Sequence, residues 1–249
     1  MKRPRIGAII EARMGSTRLP GKVLREIQGR SMLDHVMERS LACTQDAVVV
    51  ATTTSSEDDP IEEAAIEAGV GCYRGSQEDV LNRVLEAAIA FDVDVVVKLS
   101  GDNPLYHPAY VDAIVKEFMD SSYDFVTNTH MGFSEAWEPD RTWPIGTGVA
   151  VFETNLLQRI DRLNPDAADR EHVIKYIIDR PGEFHLRAFD AEGSFAAYRR
   201  PDLRLAVDTE ADLEFINGVF ERITWPRCLR LMMLPLPVCK KRCITSYLN

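Results

Sequence analysis

The chain has 249 residues and a formal net charge of -10, and 45% of its residues are hydrophobic. These values are typical of a soluble globular protein with one large domain or two small ones. The acidic balance argues against a general nucleic-acid-binding protein, which usually carries a basic face. No apolar run reaches the roughly eighteen residues of a membrane-spanning helix. The short apolar run near the N-terminus ends at Glu11 and predicts a core strand, not a signal peptide.

The five cysteines indicate a reduced protein. Cys43 and Cys72 have apolar neighbours and are expected to be small buried hydrophobic residues. Cys228, Cys239 and Cys243 follow near the C-terminus, in a spacing that matches no zinc site. Because reduced cysteines are the rule inside the cell, we expect a cytoplasmic protein.

The first half of the chain alternates between strand-like and helix-like segments. Ser31, Asp59 and Ser76 are the predicted helix caps, and Asp34 and Asp79 are the predicted capping partners of Ser31 and Ser76. Strands are predicted at 5–12, 47–53, 72–73, 93–99 and 123–128, and helices at 31–43, 59–69, 77–91 and 108–121. This alternation predicts βαβ units around a mostly parallel sheet.

The pattern breaks over 129–144, a stretch that contains His130, Trp137 and Trp143. Loops of this length are usually functional or disordered. The two tryptophans are interpreted either as a lid that stacks on a ligand or a dimer contact, or as a pair of partly buried loop aromatics. Afterwards strands are predicted at 146–152, 183–190 and 203–207, and helices at 154–162, 167–179 and 210–223. His172, on a predicted helix, is a candidate substrate ligand, although a lone helical histidine is more often packed.

The C-terminal residues 224–249 differ from the rest of the chain. Trp225 and several leucines and methionines are interleaved with arginines and lysines, and three prolines disfavour a continuous helix. We therefore expect a domain of residues 1–223 followed by a basic, apolar tail. The tail is interpreted as docking a partner or an anionic membrane surface, or as a swapped or disordered end.

The strongest candidate site is the basic loop from Arg13 to Lys22, which follows the first predicted strand. Its three cations, Arg13, Arg18 and Lys22, share one turn with Gly15 and Gly21. Ligands of open α/β sheets bind at the carboxyl ends of strands. Glycines let backbone N–H groups approach a phosphate, and cations supply the charge. The loop therefore predicts a cradle for a nucleoside triphosphate, with a basic surface turn as the alternative. Its spacing matches neither a Walker A loop nor a dinucleotide fingerprint.

Two acidic residues are candidates for a metal site at the same edge. Asp102 follows the strongest predicted strand, and Asp208 stands between a predicted strand and a predicted helix. Carboxylates that face phosphates need a bridging cation, and Mg²⁺ typically takes one or two of them together with phosphate oxygens. The alternatives are a Gly-Asp turn at Asp102 and a helix cap formed by Asp208 or Thr209.

These motifs carry a resemblance to a known family. The segments Glu11-Ala-Arg-Met-Gly-Ser-Thr-Arg-Leu-Pro-Gly-Lys22, Gly101-Asp-Asn-Pro-Leu105 and Val207-Asp-Thr-Glu-Ala-Asp-Leu213 resemble the sugar cytidylyltransferases. That family includes the enzymes for 3-deoxy-manno-octulosonate and for acylneuraminate (sialic-acid-like) sugars. The strongest likeness is to the spore coat polysaccharide biosynthesis, SpsF-like branch, and it covers about residues 5–222.

The resemblance implies a fold and a reaction. The fold is an α/β, Rossmann-like nucleotidyltransferase domain, a GT-A-like three-layer sandwich with a mostly parallel mixed sheet. The reaction is the Mg²⁺-dependent transfer of CMP from CTP to an acidic sugar, with release of pyrophosphate. A homodimer is the usual assembly, and surface polysaccharide synthesis is the usual context.

The resemblance also implies roles for individual residues. Arg13, Lys22 and Asp102 are the implied catalytic residues, and Asp102 and Asp208 the implied Mg²⁺ ligands. The implied nucleotide-binding residues are Arg13, Gly15, Ser16, Arg18, Lys22, Thr52 and Thr53, the last two lying where the family contacts the base. The implied sugar-binding residues are Gly75, Ser76 and Asp79.

One departure from the family and two alternative functions remain. The stretch 146–152 lacks the acidic residues that relatives carry there, so the part of the site that binds the acceptor sugar looks altered.

A glycosyltransferase that consumes a nucleotide sugar is the first alternative function. Against it, Asp92-Val93-Asp94 precedes its strand and so lies at the wrong edge of the sheet. A catalytically silent nucleotide-binding domain is the second.

Overall fold

Seven strands form one central sheet in the computed structural model, which describes residues 2–128, 140–163 and 165–222. The strands are β1 (Ile6–Glu11), β4 (Ala47–Thr53), β5 (Gly71–Gly75), β6 (Val95–Ser100), β7 (Phe125–Thr127), β8 (Ala150–Glu153) and β9 (Leu186–Ala188), and a separate hairpin contains β2 (Glu26–Ile27) and β3 (Arg30–Ser31). Their order in the sheet is β5-β4-β1-β6-β8-β7-β9. β8 runs antiparallel to both of its neighbours, and the other pairs are parallel.

Helices cover both faces of the sheet. They are α1 (Met32–Leu41), α2 (Asp59–Glu67), α3 (Val80–Ala90), α4 (Pro108–Met119), α5 (Thr154–Arg162), α6 (Ala167–Glu171), α7 (Lys175–Ile178) and α8 (Glu210–Phe220). Because side chains alternate along a strand, Ala8 and Ile10 of β1 pack with α1, α2 and α4, whereas Ile9 packs with α3, α5 and α7. Strands buried on both faces are nearly continuous apolar runs. The predicted three-layer sandwich with a mostly parallel mixed sheet is confirmed.

The predicted helix caps are correct for one helix and shifted in two others. Ser31 caps α1 in a capping box with Asp34. Helix α3 begins at Val80, later than predicted, because Asp79 and not Ser76 accepts the capping hydrogen bond, from Asn82 N at 2.9 Å. Helix α2 begins at Asp59 itself, so its N-cap position belongs to Asp58, whose side chain makes no capping bond.

Three predictions in the second half of the chain are wrong in detail. The predicted helix 167–179 is two helices, because His172 takes a non-helical conformation between α6 and α7. The predicted strand 203–207 forms a single parallel bridge, Ile145 to Arg204. It extends no further because Gly146, at φ 90°, turns the backbone away after one pair. For the same reason the strand predicted from Gly146 begins only at Ala150.

Trp143 is a core residue, so neither interpretation of it from the sequence holds. It is 2% exposed, and its indole Nε1 donates a hydrogen bond to Phe189 O at 2.6 Å. Its ring also packs against Tyr110 and Tyr198. His130, Trp137 and the tail from 224 lie outside the described residues, as does the predicted domain boundary after 223. Among the helices that are described, none is long and apolar enough to cross a membrane.

Candidate functional site

The carboxyl ends of β1 and β6 open into a cleft of about 520 Å³. The two strands are parallel neighbours, with Glu11 opposite Ser100, so the chain leaves both of them at the same edge of the sheet. The basic loop and Asp102 both line the cleft, as does Asp208. The structure therefore places the three sequence motifs together, as the strand-end rule predicts.

Lys22 lies between the two predicted metal ligands. Its Nζ is 2.6 Å from Oδ2 of Asp102 and 2.9 Å from Oδ1 of Asp208. Burial alone would lower the pKa of Lys22, but the contacts with the two carboxylates outweigh it and raise that pKa. Burial likewise tends to raise the pKa of Asp208, whereas Lys22 and Arg18 lower it, and the net direction is downward. Both shifts favour the charged forms of Lys22 and Asp208.

Backbone pairing brings Asp208 to Asp102. Val207 N donates to the carbonyl of Asp102 at 3.1 Å, and Ile145 exchanges hydrogen bonds with Leu203 and Leu205 just upstream. Thr209, and not Asp208, caps α8 through a capping box. Because the cap is supplied by its neighbour, the helix-cap alternative for Asp208 is excluded. The Asp208 carboxylate lines the cleft instead, where Lys22 and Arg18 pair with Oδ1 and Arg204 pairs with Oδ2.

The backbone of the basic loop turns around the carbonyl oxygen of Met14. The carbonyl of Met14 accepts hydrogen bonds from Ser16 N at 2.7 Å and from Gly21 N at 3.0 Å, and Gly21 adopts φ 66°. Arg18 reaches Asp208 at 2.9 Å with about half of its side chain exposed, and Arg13 Nη1 lies 3.5 Å from the carbonyl of Gln77. The loop thus presents its cations toward an open cleft.

Thr52 and Thr53 have a different environment from the one that the resemblance implies. Both residues are buried, and their hydroxyls donate to Oδ2 of Asp58, at 3.0 Å from Thr52 and 2.5 Å from Thr53. Neither residue lines the cleft. Because both hydroxyls are bound to Asp58, the base of a nucleotide would have to contact other atoms at the end of β4.

The predicted sugar-binding residues lie beside the cleft without lining it. Asp79 caps α3 and forms an ion pair with Arg170 at 2.6 Å, and the carbonyl of Ser76 accepts a hydrogen bond from Arg83 Nη1 at 2.5 Å. Gly75, at the end of β5, has the Cβ and Cγ of Arg83 about 3.0–3.3 Å from the position that a Cβ of its own would take. These three residues thus support α3 and Arg83 in the described structure.

Four further residues line the cleft. Three of them, Arg83, Glu11 and Glu171, were not identified as ligands from the sequence, and the fourth, His172, was expected to be packed. Arg83 is 2% exposed, its burial lowers its pKa, and its Nε has no hydrogen-bond partner among the described residues. Glu11 pairs with Lys98 at 3.0 Å. His172 is exposed at the cleft and not packed as expected, and Glu171 lies beside it. Only the register of β1 against β6 and the packing of α3 bring these charges together, and a single sequence shows neither.

The carboxylates fit a divalent cation. Oδ2 of Asp102 and Oδ1 of Asp208 lie within hydrogen-bond distance of one nitrogen, that of Lys22. Two carboxylates that converge on one point match the number that Mg²⁺ typically takes beside substrate phosphates. No cluster of three or more His, Cys, Asp or Glu side chains suited to a metal occurs in the parts of the chain that the structure describes. Phosphate oxygens and water would have to complete the coordination.

The opposite edge of the sheet holds a larger cavity, of about 1010 Å³, but none of the predicted site residues. Asp94 lies there and accepts a hydrogen bond from Arg5 N at 2.7 Å, so its carboxylate fixes the start of β1. Asp92-Val93-Asp94 therefore lies far from the basic loop, as predicted, which disfavours the glycosyltransferase alternative.

Comparisons with known proteins agree with one another. The family model described as cytidylyltransferase matches residues 7–234. The spore coat polysaccharide biosynthesis protein SpsF of Bacillus subtilis is 33% identical over 222 residues, 86% of this chain and 85% of its own. A 3-deoxy-manno-octulosonate cytidylyltransferase of Mesorhizobium japonicum is 28% identical over 243 residues, 83% of this chain and 95% of its own.

Solved structures show the same fold. A cytidylyltransferase from Leptospira borgpetersenii superposes with a TM-score of 0.83 at 30% identity and covers 93% of both chains. The structure of CMP:2-keto-3-deoxy-manno-octonic acid synthetase complexed with CTP has a TM-score of 0.67 at 22% identity and covers 88% of this chain and 99% of its own. At that identity the second likeness bears on the fold alone.

Proposed function

Because the chain belongs to the cytidylyltransferase family, we propose that it transfers CMP from CTP to an acidic sugar with Mg²⁺ and releases pyrophosphate. The observation that carries the proposal is the convergence of Lys22, Asp102 and Asp208 at the end of the basic loop. A triphosphate brings four negative charges to this point, and the cluster holds both the cations and the metal ligands to receive them.

In the proposed reaction, a hydroxyl oxygen of the sugar attacks the α-phosphorus of CTP. The bond between the α-phosphorus and the oxygen that bridges to the β-phosphate breaks, pyrophosphate leaves with the electron pair, and the hydroxyl proton passes to solvent. Catalysis of this kind depends on positioning and preorganised charge. Bound Mg²⁺ would neutralise phosphate charge and polarise the α-phosphate.

The roles of the loop residues follow from their positions. Arg13 and Arg18 bind the triphosphate, and the backbone N–H of Gly15 approaches its oxygens, whereas the N–H of Ser16 stays bonded to the carbonyl of Met14. Lys22 exchanges its carboxylate partners for a phosphate oxygen and stabilises the charge on the departing pyrophosphate. Asp102 and Asp208, freed from Lys22, would hold the metal.

An acidic acceptor is supported by the chemistry of the cleft. The buried guanidinium of Arg83 lines it and has no carboxylate within ion-pair distance among the described residues. One curated relative acts on 3-deoxy-manno-octulosonate, an acidic sugar, and another serves spore coat polysaccharide synthesis. We therefore place the product in surface glycan synthesis. The homodimer and the cytoplasmic location expected from the sequence remain part of the proposal.

Labelled nucleotide tests the reaction class. With CTP that carries ³²P at the α-position, Mg²⁺ and an acidic sugar, the label should move into a CMP-sugar while pyrophosphate stays unlabelled. A glycosyltransferase would instead release a nucleotide from a nucleotide sugar. A silent domain would bind CTP and return it unchanged, and either outcome would overturn the proposal.

A further inference from the structure

Asp58 is a buried carboxylate beside the cleft that the proposed reaction does not use. It is 2% exposed and stands at the N-cap position of α2, where its side chain makes no capping hydrogen bond. No cation forms an ion pair with it among the residues that the structure describes. A buried charge of this kind needs hydrogen-bond donors to compensate for lost hydration.

Four donors meet the two oxygens of Asp58. Oδ1 accepts from Met14 N at 2.8 Å. Oδ2 accepts from Thr53 N at 3.0 Å and from the hydroxyls of Thr52 and Thr53. Burial tends to raise the pKa of Asp58, but the hydrogen bonds from Thr53, Met14 and Thr52 outweigh it and lower that pKa. One oxygen is thus fixed by the strand, and the other is directed at the basic loop.

The backbone of Met14 connects Asp58 to the rest of the loop. Its N–H is bound by Asp58, and its carbonyl closes the neck of the loop by accepting from Ser16 N and Gly21 N. Arg13 and Gly15, the neighbours of Met14, line the cleft. Asp58 therefore fixes the start of the loop against β4 through a contact between residues 44 positions apart in the chain, whereas Lys22 and Arg18 anchor its other end at Asp102 and Asp208.

We infer that Asp58 is a positioning residue that holds the loop 13–22 in the shape that binds the triphosphate of CTP, an inference that rests on the proposed function. If Asp58 only stabilised the start of α2, both oxygens would serve α2 or the strand before it. Instead, Oδ1 serves the loop across the sheet edge. The expected consequence of losing it is weaker nucleotide binding, with acceptor binding unchanged.

Asp58→Asn tests this contact selectively. An amide has only one oxygen, and the favoured orientation directs it at the three donors around Oδ2. The amide –NH₂ then faces the N–H of Met14, so the loop contact is lost while the strand contacts persist. Thr154→Val is the matched control, because it removes a buried hydrogen bond, to Val93 O at 2.6 Å, at the far edge of the sheet.

Equilibrium binding of Mg²⁺–CTP, measured by calorimetry, gives the first readout. We expect the dissociation constant of Asp58→Asn to rise about tenfold, as for one lost hydrogen bond to a charged group. The KM for CTP should rise with it, while the KM for the sugar stays constant. Thr154→Val should lose stability but bind CTP like the unmodified chain.

Hydrogen exchange of the unmodified chain gives a second readout if Asp58→Asn does not fold. The amide of Met14 should be protected as strongly as those of β4, and fast exchange there would overturn the inference. Unchanged CTP binding by a folded Asp58→Asn would overturn it too. Absence of CTP binding by the unmodified chain is a different result, because it would refute the proposed function itself and the role of Asp58 with it.

Discussion

Gly146 links the fold to the proposed metal ligands, and replacing it by alanine should damage both. Its φ of 90° is in the region that favours glycine. A Cβ added there would lie 2.1 Å from Ala206 N and 2.5 Å from Leu205 C, and both contacts are with backbone. The positive φ costs about 1–2 kcal/mol, and a forced backbone shift typically costs about 1–3 kcal/mol. We therefore expect Gly146→Ala to lower the free energy of unfolding by about 2–5 kcal/mol.

The site should also change, because the displaced strand segment leads directly to Asp208. A shift at residues 205–206 would weaken the hydrogen bond from Val207 N to Asp102 O, which holds the two carboxylates together. At a temperature where the variant is folded, the Mg²⁺ concentration needed for half-maximal activity should rise.

Urea unfolding and Mg²⁺ titration of pyrophosphate release check the two effects separately. Gly182→Ala is the matched control, since a Cβ there meets nothing within 4 Å and the backbone has no positive φ. If Gly146→Ala and Gly182→Ala proved equally stable, the argument from backbone contact would be refuted. Normal Mg²⁺ dependence in a destabilised Gly146→Ala would refute the link to Asp208.

Three further predictions follow from the site and its surroundings. Lys22→Ala should lower kcat by about a hundredfold or more, as expected for one lost charge-stabilising group, while circular dichroism stays unchanged; near-normal turnover would contradict its role. Asp208→Asn should raise the Mg²⁺ requirement at saturating CTP about tenfold or more, by analogy with other losses of a metal contact, and an unchanged Mg²⁺ titration would exclude it as a ligand. Burial raises the pKa of Cys43 to about 12 and that of Cys72 to about 11, so iodoacetamide at pH 8 should alkylate these two residues only after unfolding. Rapid labelling of either of them in the native chain, detected by mass spectrometry, would show that the thiols are accessible and ionisable.

The central strands and the convergence of Lys22, Asp102 and Asp208 could be predicted from the sequence because their signals are local. β4 has the predicted bounds, 47–53, because a short apolar run rich in β-branched residues favours a buried strand. Lys22, Asp102 and Asp208 each follow a strand-like run, and the topology of a parallel sheet brings such residues to one edge. No knowledge of side-chain packing was needed for either result.

Three of the failures concern contacts between distant parts of the chain. Asp58 was not identified from the sequence, because the role inferred for it depends on a hydrogen bond from Met14 N, which no local pattern encodes. Segment 203–207 has a strand-like composition, yet its pairing ends after one bridge because Gly146 turns away. Trp143 lies in a long irregular stretch, and only the aromatic cluster around it makes it a core residue.

Pyrophosphate release in a panel of nucleotides and acceptors tests the central claim most directly. CTP, UTP, ATP and GTP would each be combined with Mg²⁺ and with acidic sugars, including 3-deoxy-manno-octulosonate and sialic-type acids, or with sugar 1-phosphates. The account predicts release with CTP and an acidic sugar, abolished by Lys22→Ala. Release that requires UTP or ATP and a sugar 1-phosphate would contradict it.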